Sequence, residues 1–482
     1  MLFNSVDYAI FLPFAVAAFW LIPRRLRLLW LLGLGYLFYM HTLPRGAALL
    51  AAVTVINYTA GLLMGRRSAV RKLVLFCALA LDLGVLGFFK YADFVLESAN
   101  SLVGALDGST RFDALNIILP IGISFYTFYA MAYLIDCYRG RFEPVRRPDL
   151  FAAHMAFFPQ ILAGPIVRPD QLLPQLTNLP AFRRETFESG IRLVVVGIVK
   201  KVLLADKLAV VAGMGFSSAG DLGMVDAWVA ALAFTFQIYF DFSGYTDIAR
   251  GSARLFSIEL PENFRLPYLA DSPREFWRKW HITLSTWFRD YLYIPLGGSK
   301  GGRAGTYRNL MITMVLAGLW HGAAWTFVIW GAYHGVILVA NHILIDRRGR
   351  ERPTVEAERP LLLRAASIVF TFVLVVLGWV FFRAESISQA MLMFSAMVRP
   401  EGPGAVTAAA LGSPMWGYAA LLLAWHAARQ WVQRSGIPRP ALVRLGTYSA
   451  LVVLLLSVVY TTNFTGVQEE GKAPTPFIYF RF

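Results

Sequence analysis

The sequence predicts an all-α protein that crosses a membrane many times, and three observations predict it. Of 482 residues, 57% are apolar and only 16% are charged, against about 25% charged in a typical soluble domain. The mean hydropathy is +0.55, too apolar for a disordered chain and too poor in polar surface to cover one ordinary soluble core. The apolar residues also fall into runs close to the roughly 20 residues that a helix needs to span a bilayer, and arginine clusters separate the runs.

The charge balance follows the same pattern. Lys and Arg number 45 against 30 Asp and Glu, a net of +15. In a soluble protein such an excess would suggest nucleic acid. Here the cations sit between apolar segments, which is how positive-inside topology is written, so the expected partner is the lipid bilayer and not nucleic acid. The two cysteines, Cys77 and Cys137, cannot build a disulfide framework or a zinc site.

Each element is then placed by charge. The run 8–22 has no basic residue before it and ends at Arg24, Arg25 and Arg27. It reads as a first span with its N-terminus outside, not as a cleaved signal peptide. Runs 28–43 and 46–64 follow, split by the turn signal from His41 to Gly46, and end at Arg66, Arg67, Arg71 and Lys72. Run 73–96 goes out, and 114–136 returns to Arg139, Arg141, Arg146 and Arg147. The short run 151–163 is broken by Gly164 and Pro165 and has cations on both sides, so a re-entrant segment is expected; irregular backbone at that depth must be buried in protein or line a cavity. Run 188–212 goes out and 226–249 returns. Residues 250–306 are rich in Arg, Trp, Tyr and Pro and hold no clean span, as an interfacial region of half-inserted helices would. Runs 307–321, 323–345, 363–382, 414–429 and 444–462 complete about twelve crossings, with both termini outside. The chain reads as one integral-membrane domain, 1–482: N-terminal helices 1–136, a core 137–345 with the re-entrant segments, and C-terminal helices 346–482. No internal repeat is visible, which weighs against a secondary transporter.

Polar groups inside a bilayer are costly and point to function. His321 stands in Ala317-Gly-Leu-Trp-His-Gly322. It lies thirteen residues past Arg308, or roughly 20 Å along a helix. Trp320 supplies a flat apolar wall. Position leaves open a histidine held by a neighbouring helix, or one at the outer turn of a hairpin. An imidazole with an ordinary pKa near 6.5 can take a proton from a hydroxyl and return it to a leaving group. No GxSxG elbow is present, so a base acting directly on an acceptor hydroxyl fits better than a covalent acyl-enzyme. His281 is the second candidate, within a basic aromatic stretch that also contains Trp277. His334 lies thirteen residues beyond His321, which on one helix turns it off the same face. Gln237, Asp241 and Tyr245 are spaced i, i+4, i+8 and share a helix face, either as a polar tunnel wall or as an interhelical hydrogen-bond lock. Arg289 and Asp290 could meet phosphate at the inner mouth or simply pair in solvent. No pair of histidines has metal-ligand spacing, so no metal is expected.

Six stretches carry a resemblance to a known family. FWRKWHITLSTWFRDYLYIPLGG (Phe276–Gly298), YFDFSGYTD (Tyr239–Asp247) and LAGLWHG (Leu316–Gly322) resemble the signatures of membrane-bound O-acyltransferases. LPIGISFYTF (Leu119–Phe128), FFPQILAGPIVRP (Phe157–Pro169) and the terminal FIYFRF (Phe477–Phe482) resemble the bacterial branch typified by the alginate O-acetyltransferase membrane subunit, with Arg481 standing where that branch would have Gln. The resemblance covers nearly the whole chain. It implies about 11–12 transmembrane helices, with re-entrant and interfacial helices, around a tunnel. It implies that His321 is catalytic and that His281 occupies the family's second histidine position. It further implies a bacterial inner-membrane enzyme with no permanently bound cofactor. Such an enzyme passes acetyl from cytosolic acetyl-CoA toward an exported polysaccharide, often finished by a periplasmic acetyltransferase partner. The rival readings are a lipid or glycan transporter and a non-catalytic scaffold of an export complex.

Overall fold

A computed structural model describes residues 1–65, 69–106, 112–347 and 360–413. The expected spans 414–429 and 444–462 and the motif at 477–482 lie outside the described residues. Within them the chain is helical, and no strand occurs among the described residues. In chain order the helices are α1 Val6–Leu21, α2 Arg27–Thr42, α3 Pro44–Leu63, α4 Arg71–Leu106, α5 Ile123–Tyr138, α6 Pro148–Met155, α7 Phe158–Ile161, α8 Pro169–Thr177 and α9 Arg184–Val199. They continue with α10 Asp206–Ser217, α11 Met224–Leu255, α12 Pro273–Lys279, α13 Ile282–Phe288, α14 Gly302–His321, α15 Trp325–Arg347, α16 Leu361–Arg383, α17 Ile387–Ala396 and α18 Ala405–Leu411. By length and composition, five of the described helices can cross a membrane: α3, α4, α11, α15 and α16. The protein is a multi-pass membrane protein. Nine of the ten expected spans within the described residues fall on helix almost end to end, and the tenth, 114–136, does so only from Ile123.

Three departures from the expected pattern have local causes. The run 114–136 becomes helical only at Ile123, because Pro120 lacks an amide hydrogen and Gly122 takes a left-handed φ of 82°. A Cβ on Gly122 would lie 2.5 Å from the Ile161 carbonyl oxygen, so only glycine permits that approach. The run 188–212 is continuous but passes through a π-helical turn at Lys200–Ala205. The segment expected to re-enter is two short helices, α6 and α7, with His154 and Gln160 fully buried beside the break. Its irregular backbone is thus enclosed by protein, as membrane depth demands.

Close helix contacts rest on small residues, the usual device where lipid gives no hydrophobic drive for association. Gly197 on α9 faces Gly244 on α11; a Cβ on the first would lie 2.5 Å from the second's carbonyl oxygen. Lys201, inside the π turn, is 1% exposed and bridges Asp241 on α11 at 2.6 Å and Asp206 on α10 at 2.9 Å. Lys200 meets Asp247 at 2.6 Å. Consecutive lysines on an α-helix point about 100° apart, and the widened turn lets both reach carboxylates.

Candidate active site

His321 is the last residue of α14. Gly322 takes extended backbone, and the chain reverses through 322–324 into α15, so His321 sits at the tip of a helical hairpin. The hairpin closes tightly just below its tip: a Cβ on Gly318 would lie 2.2 Å from the Phe327 carbonyl oxygen, and one on Gly331 2.3 Å from that of Met314. The histidine is nevertheless only 4% exposed. Trp320, Trp330 and Phe382 surround its ring, with centroids 5.1, 5.1 and 5.2 Å away.

His281 enters from a different part of the chain. It precedes α13 with φ of 41°, a conformation that a non-glycine residue holds only where its surroundings fix it. Asn263 does the fixing. Its carbonyl oxygen accepts from Ile282 N at 3.0 Å, and its side-chain oxygen accepts from Thr283 N at 3.1 Å and from the Thr283 hydroxyl at 2.7 Å. His281 is 1% exposed, packs edge-on against Phe242, and lies 6.4 Å from His321 between ring centroids. The structure therefore brings together the two histidines that the sequence singled out separately.

A cavity of about 90 Å³ opens beside His321. Its wall is the segment 119–125 leading into α5, with Leu162, Lys90, Trp320 and His321. Helix α4 organises this rim. Asp93 accepts from the amides of Leu115 and Ile117 at 2.7 and 3.1 Å, and Asn100 pairs with the Phe112 backbone. Tyr91 donates to the Leu319 carbonyl at 2.9 Å. Lys90 donates to the Trp320 carbonyl, to the His321 carbonyl at 3.3 Å and to the Ser124 hydroxyl at 3.3 Å. Sequence reasoning passed over Lys90 and Tyr91. The available signal was a lysine within the apolar run 73–96.

The other candidates separate into groups. Trp320 walls the cavity and meets Phe125 and Phe128. Trp277 lies away from the cavity lining, 5.7 Å from Trp330 and 5.2 Å from His334. His334 joins this aromatic cluster at 4.9 Å from Trp330. The 100° rule did not apply to it, because the helix ends between His321 and His334. Gln237, Asp241 and Tyr245 are buried on α11, but none of the three lines the cavity beside His321. Asp241 is occupied by Lys201, and the Tyr245 hydroxyl accepts from Ala163 N at 3.2 Å while its ring stacks on Phe3. Asp290 is gripped by Arg289 at 2.6 Å and by Arg168, and its carbonyl accepts from Arg139 at 3.2 Å. Burial alone would raise the Asp290 carboxyl, but the hydrogen bonds from Arg289 and Arg168 outweigh it and hold the group below the ordinary carboxylate value. Among the described residues, no three His, Cys, Asp or Glu side chains gather to hold a metal ion.

The candidate site is thus a buried imidazole at a cavity in a helical membrane protein, with a second imidazole close by. Residues 122–382 match the MBOAT, membrane-bound O-acyltransferase family, and the chain belongs to that family. It is an O-acyltransferase. The matched span contains both histidines and runs from the left-handed Gly122 to Phe382 beside His321. Over 403 residues the chain is 45% identical to "Probable alginate O-acetylase AlgI" of Azotobacter vinelandii, covering 82% of this chain and 78% of that protein. It is 36% identical over 402 residues to the peptidoglycan O-acetyltransferase of Helicobacter pylori, covering 78% and 74%. It is 28% identical over 254 residues to the teichoic acid D-alanyltransferase of Streptococcus thermophilus, covering 50% and 60%.

Proposed function

We propose that this protein transfers acetyl from cytosolic acetyl-CoA, within the bacterial inner membrane, for O-acetylation of an exported polysaccharide such as alginate. The acceptor is the glycan itself or a periplasmic acetyltransferase partner. The observation that carries the reading is His321, buried in the bundle yet bordering an open cavity. By the charge rule that cavity faces outward, since the segment 112–122 follows the weakly charged outer loop. The arginines around Asp290 lie on the opposite, cation-rich side, where the phosphates of a nucleotide thioester would be met. The names of the alginate and peptidoglycan relatives support acetyl as the group and a polysaccharide as its destination.

His321 takes the proton from the acceptor hydroxyl as its oxygen attacks the thioester carbonyl. The tetrahedral intermediate then expels the thiolate, which recovers that proton from the imidazolium. An ester bond forms, a thioester bond breaks, and CoA leaves as the free thiol on the side from which it came. His281 orients the donor or relays a proton. The experiment is acetyl transfer by the purified protein in liposomes, with acetyl-CoA supplied on one side and an acceptor on the other. His321→Ala should insert normally and lose transfer by at least about a hundredfold. Full activity in that variant, or glycan movement without any acetyl donor, would refute the proposal.

A further inference from the structure

The last four carbonyls of a helix have no intrahelical partner. At membrane depth water is not there to satisfy them, and each one left bare costs several kcal/mol. The end of α14 meets this demand in an unusual way. The Gly318 carbonyl accepts from Gly322 N at 3.4 Å. The next three carbonyls, of Leu319, Trp320 and His321, are all taken by two adjacent side chains of α4: Tyr91 takes the first and Lys90 the other two. A cation at this end also meets the negative pole of the helix dipole. Lys90 spends its third donor on Ser124 at the start of α5. Its three donors and three acceptors are thus matched, and among the described residues no carboxylate lies within ion-pair distance of it. An ammonium in lipid could be neutralised more simply by an acid. Here it is instead committed to the backbone that carries the imidazole.

We infer that Lys90 is a positioning residue for the transfer reaction: it clamps the His321 end of α14 to α4 and α5, and Tyr91 assists it. The inference rests on the catalytic role proposed for His321. It acts through geometry, because Lys90 fixes the backbone from which the imidazole projects and the ring of Trp320 beside it, 5.7 Å from the ammonium. Displacing a reacting group by about 1 Å can cost about a hundredfold in rate.

The test compares kcat and KM for acetyl-CoA in proteoliposomes, per molecule of monodisperse folded protein. Lys90→Met keeps the length and removes the donors; kcat should fall about tenfold to a hundredfold while KM stays within about twofold. Lys90→Arg keeps charge and donors and should recover part of the loss, which a purely structural role would not produce in kcat. Tyr91→Phe and Ser124→Ala each delete one bond of the same clamp without adding bulk, and each should lower kcat by a smaller factor. They decide the matter if Lys90→Met does not fold. Wild-type kcat in Lys90→Met, or in both of these milder variants, overturns the inference. His321→Ala is measured alongside: activity retained there removes the catalytic reading itself, whereas an inactive His321→Ala beside a fully active Lys90→Met removes only the clamp.

Discussion

Gly318→Ala should damage catalysis more than its single methyl group would suggest. The added Cβ would stand 2.2 Å from the Phe327 carbonyl oxygen and 3.1 Å from Gly331, and both obstacles are backbone of α15. Neither can rotate away as a flexible side chain could. To bring the first contact back to even 3.0 Å, the two helices must part by about 0.8 Å. Overpacking of this kind costs about 1–3 kcal/mol. His321 lies three residues further along the same helix, one turn from the wedge, so its ring moves by a comparable amount. A shift of that size carries a rate penalty that can approach a hundredfold. The assay is initial-rate acetyl transfer together with thermal unfolding followed by tryptophan fluorescence. Gly84→Ala on α4 serves as the control, because a Cβ there meets nothing within 4 Å; it should leave the rate unchanged. If Gly318→Ala kept both the wild-type rate and the wild-type unfolding temperature, the claim that this contact positions His321 would be wrong.

The remaining expectations concern the charged groups away from the cavity. Lys201→Met should leave Asp241 and Asp206 without their cation and lower stability by about 3–5 kcal/mol, as removal of one partner of a buried pair does; the double variant Lys201→Met/Asp241→Leu should be less destabilised than the single one when both are melted in the same detergent. Asp290→Asn should lower the unfolding temperature at pH 7. The Asp290 carboxyl is depressed in the folded state, so the stability it contributes is present above the unfolded value near 3.9 and disappears as pH falls through the lower folded value. The gap between wild type and Asp290→Asn should therefore begin to narrow in melts run below about pH 4; a gap that stayed constant as pH fell further would show that the carboxylate charge is not the source.

The fold was legible because a bilayer leaves few choices. Long apolar runs bounded by arginine have to be helices, and nine of the ten such runs within the described residues are helical almost end to end. What pattern could not supply was where a helix begins when backbone chemistry interferes, as at Pro120 and Gly122, or that one helix would pass through a π turn to aim Lys200 and Lys201 at α11. The histidines were visible for a similar reason. His321 is a polar group in an apolar run, and glycines flank the Trp-His pair. Lys90 met the same criterion and was missed, since the arginine clusters drew the cations into a topological reading. The i, i+4, i+8 row of Gln237, Asp241 and Tyr245 was read correctly as one helix face. Periodicity cannot say what lies opposite a face, and for Asp241 the partner was a lysine brought there by the π turn.

Three buried polar assemblies show how the same cost of burial serves different ends. Lys201 with Asp241 and Asp206 satisfies charge with charge, joining α9, α10 and α11 into one unit that touches no part of the cavity beside His321. Asn263 satisfies amides and a hydroxyl, and its return is the left-handed backbone that turns His281 inward. Lys90 satisfies carbonyls at the end of α14. Of the three it alone borders the cavity, and it alone holds a cation there without a carboxylate. That difference bears on the reaction. The Lys201 pairs tie helices together away from the cavity, whereas Lys90 ties α4 to the end of α14 from which His321 projects. On the proposed chemistry, the same hydrogen bonds that satisfy the buried carbonyls therefore also set where the imidazole stands against the acceptor hydroxyl.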